Sequence, residues 1–165
     1  MQRIIIVIVF SSLLSFQGCY SFRGGSVPPH LKTIAVPLFD DQSGTGEPGL
    51  REQLTNKLLD RFRQDNSLQV TDKGHADSMI EGIIVSLPDE PNAVIKGESV
   101  STKKVTIIAK VTYQDEKLKK KVWEKDFSNW GVYEITGGPA QRQAALTTAI
   151  DKLTEDIVNE TVSSW

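Results

Sequence analysis

The sequence predicts an α+β fold: a small, mostly antiparallel sheet of four to five strands with two helices packed on one face. Three observations carry that expectation. Segments 49–63 and 140–162 repeat apolar residues every three to four positions, the spacing of one helix face. Segments 100–113 and 118–127 read as two long extended stretches about a short polar turn at 114–116. The resulting order, β-α-β-β-β-α, lacks the strict strand–helix alternation of a parallel sheet.

Each element has its own justification. Thr33 to Phe39 is a β-rich run in which Pro37 marks an edge position or a strand end. Asp40 to Gly46 is a polar loop, and Pro48 sits where a first helical turn tolerates a missing N–H. Leu50, Leu54, Leu58 and Phe62, widened by Leu59, form a core-facing stripe, with Arg51, Glu52, Lys57, Asp60 and Arg61 toward water. Asp65-Asn66 ends that helix. A short strand follows at Leu68–Thr71. Met79–Leu87 carries Ile80 and Ile84 on one face and Ile83, Val85 and Leu87 on the other, which predicts a central strand covered on both sides. In the next strand Val105, Ile107, Ala109, Val111 and Tyr113 alternate with Thr106, Lys110 and Thr112. The return strand runs over 118–127 and 130–135, polar enough on one face to meet water or a polar partner. Gly137-Gly138-Pro139 breaks the sheet. The last helix aligns Ala145, Ala149, Leu153 and Ile157, beside Leu146, Ile150 and Val158, and its small residues permit close packing on a sheet.

The N-terminus speaks to location. Met1–Arg3 is charged, and Ile4 to Phe10 with Leu13 and Leu14 gives an apolar stretch. At about 13 residues it is shorter than the ~20 that span a bilayer and has the flanks of a secretory signal. Gly18-Cys19 resembles the lipobox of bacterial lipoproteins, with Phe16 where Leu is usual. That resemblance implies cleavage after residue 18 and lipidation of Cys19, the only cysteine. Tyr20 replaces the Asp that would favour retention in the inner membrane, so the outer membrane, facing the periplasm, is expected. The expected organisation is a signal peptide at 1–18, a lipidated tether at 19–31 containing Gly24-Gly25 and Pro28-Pro29, and one α+β domain at 32–165. Removing the leader leaves 147 residues with 18 basic and 21 acidic side chains. A balance near −3 argues against a general nucleic-acid binder. With the one thiol consumed by lipid, no disulfide is available and the core must hold the domain.

Catalytic chemistry is not evident. His30 and His75 have no ligand spacing such as HExxH, and neither glycine pair sits in a phosphate-loop pattern. Asp40-Asp41 lacks the further oxygens of a Ca²⁺ loop and is expected to shape a turn. A hydrolase acting on envelope glycans would need paired carboxylates in a cleft. Asp40/Asp41 and Asp89/Glu90 are the loop pairs available, and nothing in the sequence places either in a pocket. No enzyme activity, cofactor or metal is expected.

Four local features together resemble a known family. They are Cys19-Tyr20-Ser21-Phe22, the strand Lys32-Thr33-Ile34-Ala35-Val36-Pro37-Leu38-Phe39-Asp40, the helix Gly49-Leu50-Arg51-Glu52-Gln53-Leu54-Thr55, and the strand entry Ala76-Asp77-Ser78-Met79-Ile80-Glu81-Gly82. In this order and spacing they are similar to the lipopolysaccharide-assembly lipoproteins (LptE). The resemblance implies a small sheet backed by two helices that plugs a large outer-membrane β-barrel, aids its assembly and binds the lipopolysaccharide that the barrel delivers to the outer leaflet. The alternative is an adaptor lipoprotein of another envelope machine built on the same module.

Lysines carry the binding hypothesis. Lys103, Lys104, Lys117, Lys119, Lys120, Lys121 and Lys125 cluster on the two strands about the 114–116 turn. Lysine ammonium groups suit the phosphates and carboxylates of lipopolysaccharide. Strand alternation places Lys119, Lys121 and Lys125 on one face with Trp123. The competing reading is an edge strand guarded by lysine against edge-to-edge pairing. Lys96 and Arg142 are added by family analogy alone, giving Lys96, Lys103, Lys104, Lys119, Lys121 and Arg142 as lipopolysaccharide-binding candidates. Trp123, Phe127 and Trp130 are either core or partner-facing, and Trp165 is a residue that could dock on a partner.

Overall fold

The computed structural model describes residues 27–92, 101–163 and 165. The leader, Cys19 and Lys96 lie outside them. Seven strands and two long helices follow in order: β1 (Thr33–Ala35), β2 (Asp40–Asp41), α1 (Leu50–Asp65), β3 (Gln69–Val70), β4 (Ser78–Ser86), β5 (Asp89–Pro91), β6 (Thr102–Asp115), β7 (Lys120–Glu134) and α2 (Gly138–Ser163). The α+β class and both helices stand as expected.

The sheet differs from expectation in being mixed. β4, β5, β6 and β7 are joined by antiparallel pairings, of which β6–β7 is the longest, running from Thr102↔Glu134 to Asp115↔Lys120. β1, β2 and β3 pair in parallel, with Thr33 opposite Gln69, Ile34 opposite Ser78 and Asp40 opposite Ile83. The cause is α1. A helix between β1 and β3 carries the chain back to the end where it started, so the second strand must run parallel to the first. β3 is so short that residues 71–77 can return the chain and begin β4 in the same direction. β1 and β2 pair in turn with the same side of β4, β1 being flanked by β3 as well, and the line is interrupted around Pro37, which has no N–H to give to a ladder.

Both helices cover one face. Leu50, Leu54, Leu58 and Phe62 from α1, and Leu146, Ala149, Leu153 and Ile157 from α2, are completely buried together with Ile80, Ile84, Val105, Ile107, Ala109, Val111 and Tyr113 of the sheet. Burying each such aliphatic or aromatic side chain contributes about 1.5–3 kcal/mol. Two glycines set how closely the layers approach. A Cβ at Gly131 of β7 would overlap the backbone of Ala145, so α2 rests directly on the strand there. A Cβ at Gly82 of β4 would overlap the Phe39 ring, which fills that gap in the covered face. Phe39 is fixed in turn by its N–H, which donates to the buried Thr55 Oγ1 of α1 at 3.0 Å.

The expectation that β4 is covered on both sides holds only in part, for Leu87 is buried in the core beyond an irregularity at Ile84–Ser86. Ile80 and Ile84 are fully buried, but Ile83 is half-buried and Val85 is 40% exposed. Both helices lie on one face, and the other is open along Glu81–Val85, although Met79 at the start of the strand is buried there. Ahead of β1, Leu31 is buried and Val27 packs against the core.

Candidate binding surface

The uncovered face is built mainly by three strands in register. β4 contributes Glu81, Ile83 and Val85; β6 contributes Lys104, Thr106, Ile108, Lys110 and Thr112; β7 contributes Glu124, Asp126, Ser128, Trp130, Val132 and Glu134. Successive strand residues point to opposite faces, so the alternation that buries Val105 to Tyr113 necessarily lifts these side chains out of the core. The surface mixes charges with apolar groups. Trp130 and Val132 are each nearly half exposed, and Leu38 stands exposed at the lip of a shallow groove of about 370 Å³ with Lys110, Thr112 and Glu124 in its wall. Beside Trp130 two ammonium groups converge: Lys104 Nζ lies 5.7 Å and Lys152 Nζ 5.8 Å from the ring centroid. Lys152, which reaches over from α2, also donates to the Trp130 carbonyl at 3.3 Å.

The lysine candidates separate into two groups. Lys103 and Lys104 lie at the start of β6, opposite Tyr133 and Val132, whereas Lys119 and Lys121 lie at the hairpin turn. Twelve residues of strand, about 40 Å, divide them. The expected sharing of one face by Lys119, Lys121, Lys125 and Trp123 does not occur. An irregularity places Tyr113 opposite Trp123 but Gln114 opposite Lys121, inserting Val122 as an extra residue. A bulge of this kind turns the side chains beyond it to the other face. Trp123 and Lys125 therefore face the helices, where Lys125 meets Glu160 of α2 at 2.5 Å, while Lys121 sits on the open face bonded to Glu124 at 2.9 Å. Lys119 is in the turn itself, with φ at 52°, and pairs with Glu116 at 2.7 Å. Trp123 and Phe127 pack on the core through a ring ladder that links Trp165, Tyr113, Trp123 and Phe127, with neighbouring centroids 5.6–5.8 Å apart. Trp130 alone of the three questioned aromatics is a surface residue.

Arg142 and Lys103 are engaged in a network at the far end of the sheet. Arg142 Nε donates to Asp89 at 2.9 Å and Arg142 NH1 reaches Glu47 at 2.9 Å, tying β5 to the loop before α1. Tyr133 donates its hydroxyl proton to Asp89 at 2.7 Å, and Lys103 stands 3.8 Å from the same carboxylate. Burial alone would raise the Asp89 carboxyl, but Tyr133, Arg142 and Lys103 together hold it below its ordinary value. An acid so held is a poor proton donor. Asp40 and Asp41 are spent on their own loop, accepting from the Asp41 and Ser43 backbone N–H groups.

At the opposite end the N-terminal segment is clasped to the β6–β7 turn. His30 Nε2 lies 2.6 Å from Asp115 Oδ2, and Lys117 Nζ donates to the His30 carbonyl at 2.6 Å and pairs with Asp77 at 2.9 Å. Asp77 in turn accepts the Lys32 and Thr33 N–H groups. The bond from Lys117, aided by those backbone donors, holds the Asp77 carboxyl below its ordinary value against modest burial. For Asp115 burial acts upward, and His30 with the Leu118 and Lys117 backbone N–H groups outweighs it. Sequence reasoning missed His30 because its partner lies 85 residues away. The available signal was the Asp115-Glu116 turn, whose first carboxylate must satisfy a hairpin N–H and so stays beside whatever packs there.

A comparison by sequence with curated proteins finds no match. Solved structures share the fold. Protein XCC0632 from Xanthomonas campestris superposes with a TM-score of 0.62 at 14% identity, over 85% of this chain and 91% of that one. The rare lipoprotein B from Shewanella oneidensis gives 0.53 at 12% identity, over 79% and 95%. The PelC dodecamer of Paraburkholderia phytofirmans gives 0.53 at 12%, over 85% and 95%. The model of the lipopolysaccharide-assembly family LptE matches residues 31–161, nearly the whole described domain. The chain belongs to that family.

Proposed function

We propose that this chain is a non-enzymatic outer-membrane lipoprotein that partners and plugs a lipopolysaccharide-exporting β-barrel, with the uncovered sheet face turned to the barrel's inner wall. One observation carries the reading: a domain of this family leaves one face of its sheet bare, and that face mixes charges and hydroxyls with Trp130, Val132 and Val85. The lumen of a large outer-membrane barrel is polar, and a plug needs a polar surface with a few apolar anchors to meet it. Trp130 between Lys104 and Lys152 is the place on that face best suited to an anionic glycolipid, since two ammonium groups flank an exposed aromatic plane. Acylation of Cys19 would hold the domain at the membrane, because several buried acyl chains make attachment stable.

Purification of the tagged protein from detergent-solubilised outer membrane tests this. Recovery of one large barrel in near-equal amount supports it, with a photocrosslinker at Ser128 joining that barrel and one at Asn56, exposed on α1, not doing so. Recovery of no barrel, or of another envelope complex, transfers the module to the adaptor reading. Charge reversal of Lys104 and Lys152 to Glu is expected to weaken lipopolysaccharide binding more than reversal of Lys119 and Lys121. Cys19→Ala is expected to leave a folded domain that no longer sediments with membranes.

A further inference from the structure

The place where the chain enters the domain is the β6–β7 turn. Residues 28–31 are held there by His30 against Asp115 and by Lys117 on the His30 carbonyl, so the described chain begins within three residues of that clasp. Only eight peptide steps separate Cys19 from Val27, a span of at most ~29 Å even when fully extended. The far end of the hairpin, with Lys103 and Trp130, stands about 40 Å away along the strands. A lipid on Cys19 would therefore hold the turn, not the far end, within close reach of the bilayer.

The turn is shaped and charged for such a neighbour. Leu118, at its apex, is 65% exposed, the highest value among the large apolar residues of the described chain. It is presented by a backbone that passes through a left-handed conformation at Lys119, anchored from below by the Leu118 N–H donating to buried Asp115 at 2.8 Å. Four lysines, at 117, 119, 120 and 121, surround it. The carboxylates facing them are Asp77 for Lys117, Glu116 for Lys119 and Glu124 for Lys121, while Lys120 has none among the described residues. Lysines keep their heads in a polar headgroup layer while their stems lie against apolar surface. Trp165, 40% exposed, stands at the same end through its edge contact with Tyr113. Indole rings favour the membrane–water interface.

We propose that the β6–β7 turn is a second membrane contact: Leu118 enters the headgroup region of the leaflet that carries the Cys19 lipid, and Lys119, Lys120 and Lys121 meet its anionic phospholipids. The proposal rests on the Cys19 anchor, and it fixes which end of the sheet meets that leaflet's surface, with the turn there and the Trp130 end farthest from it along the strands.

The test anchors the full mature chain in protein-free vesicles, one-third of whose lipid is anionic, with a photocrosslinking amino acid in place of Leu118 or, at the other end, Thr136. Intact mass reads the Cys19 acylation separately. Where the thiol is bare, coupling it to a maleimide phospholipid supplies the anchor, so failure of the acylation reading does not stand in for failure of the turn contact. The expected result is lipid adducts from position 118 and few from 136. Combined Lys119→Glu and Lys120→Glu should lower the yield at 118 by roughly 25-fold, at about five-fold for each lysine lost from an anionic surface. Equal yields at 118 and 136, or a yield unmoved by the charge reversal, would overturn the proposal. So would adducts in whole outer membrane that join position 118 to a protein and never to lipid.

Discussion

The two faces of the sheet are made from the same strands yet answer to different requirements. On the covered face, Ile80, Ile84 and the run from Val105 to Tyr113 meet two helices, and the side chains are excluded from water completely. On the bare face, β4 still carries Ile83 and Val85, and β7 carries Trp130 and Val132, apolar groups that the fold itself does not use. The first face explains why the domain exists. The second is the better guide to what it does, because an apolar residue kept where folding gains little from it points to a partner. Substitutions should therefore divide cleanly, with stability lost from one face and association from the other.

Phe62→Ala in α1 tests the covered face most severely. Phe62 is fully buried in the shared core of α1, α2 and the sheet. Its removal is expected to cost about 3–5 kcal/mol, read as a lower denaturant midpoint in chemical unfolding. A loss below 1 kcal/mol would mean that the helical layer is far more loosely packed than described.

Tyr113 gives a milder and pH-dependent version. Burial pushes its phenol from the ordinary 10.0 up to about 12. The folded state thus holds its proton more tightly than the unfolded chain does. The stability linked to this group is fully present below pH 10 and is lost as the pH rises toward 12. Two units correspond to roughly 2–3 kcal/mol. Wild type should lose about that much more than Tyr113→Phe between pH 9 and 12, and parallel curves would show that the hydroxyl is hydrated in the folded state.

Gly131→Ala comes next. The added methyl overlaps the Ala145 backbone, so α2 must shift or the strand must bend. Overpacking of this kind costs about 1–3 kcal/mol. The informative control is Ser128→Ala, on the bare face of the same strand, which should leave the melting temperature nearly unchanged.

How much of this was legible in the sequence follows the same division. The covered face was readable because periodicity reports burial directly: the helical stripes Leu50–Phe62 and Ala145–Ile157, and the alternation Val105–Tyr113, each name their own inward side. The direction of pairing was not readable for β1 and β3, because two- and three-residue strands leave no alternation to count and their parallel course is imposed by the α1 crossover. The bare face misled for a physical reason. Apolar residues on both sides of β4 predict two covers, and periodicity cannot distinguish a cover supplied by the same chain from one supplied by another. The grouping of the lysines failed on a single extra residue: Val122, as a bulge, turns Lys121 away from Trp123. Alternation carries no memory across such an insertion. The His30–Asp115 clasp was out of reach, since only the folded chain brings those residues together.

The smallest effect on stability is expected to be the largest on association. Trp130 is 46% exposed and contacts Lys104 and Lys152 through its ring face. Removing it leaves the core cluster untouched and takes away two exposed cation–π contacts, each worth about 0.5–1 kcal/mol at such sites, partly offset by the freed lysine side chains. Trp130→Ala should therefore shift unfolding by less than about 1 kcal/mol. Its effect on partner recovery should be far greater, since buried aromatic anchors dominate interface energetics and typically cost 2 kcal/mol or more on truncation, at least a thirtyfold weakening of the complex. The two readings come from one variant in two assays: thermal unfolding of the purified domain, and barrel recovered from solubilised membranes. A stable variant that still recovers its partner in full would assign Trp130 to solvent and leave Ile83, Val85 and Leu38 as the part of the bare face to test. A variant that unfolds would show that β7 needs the indole for its own edge, and that the two faces are not independent there.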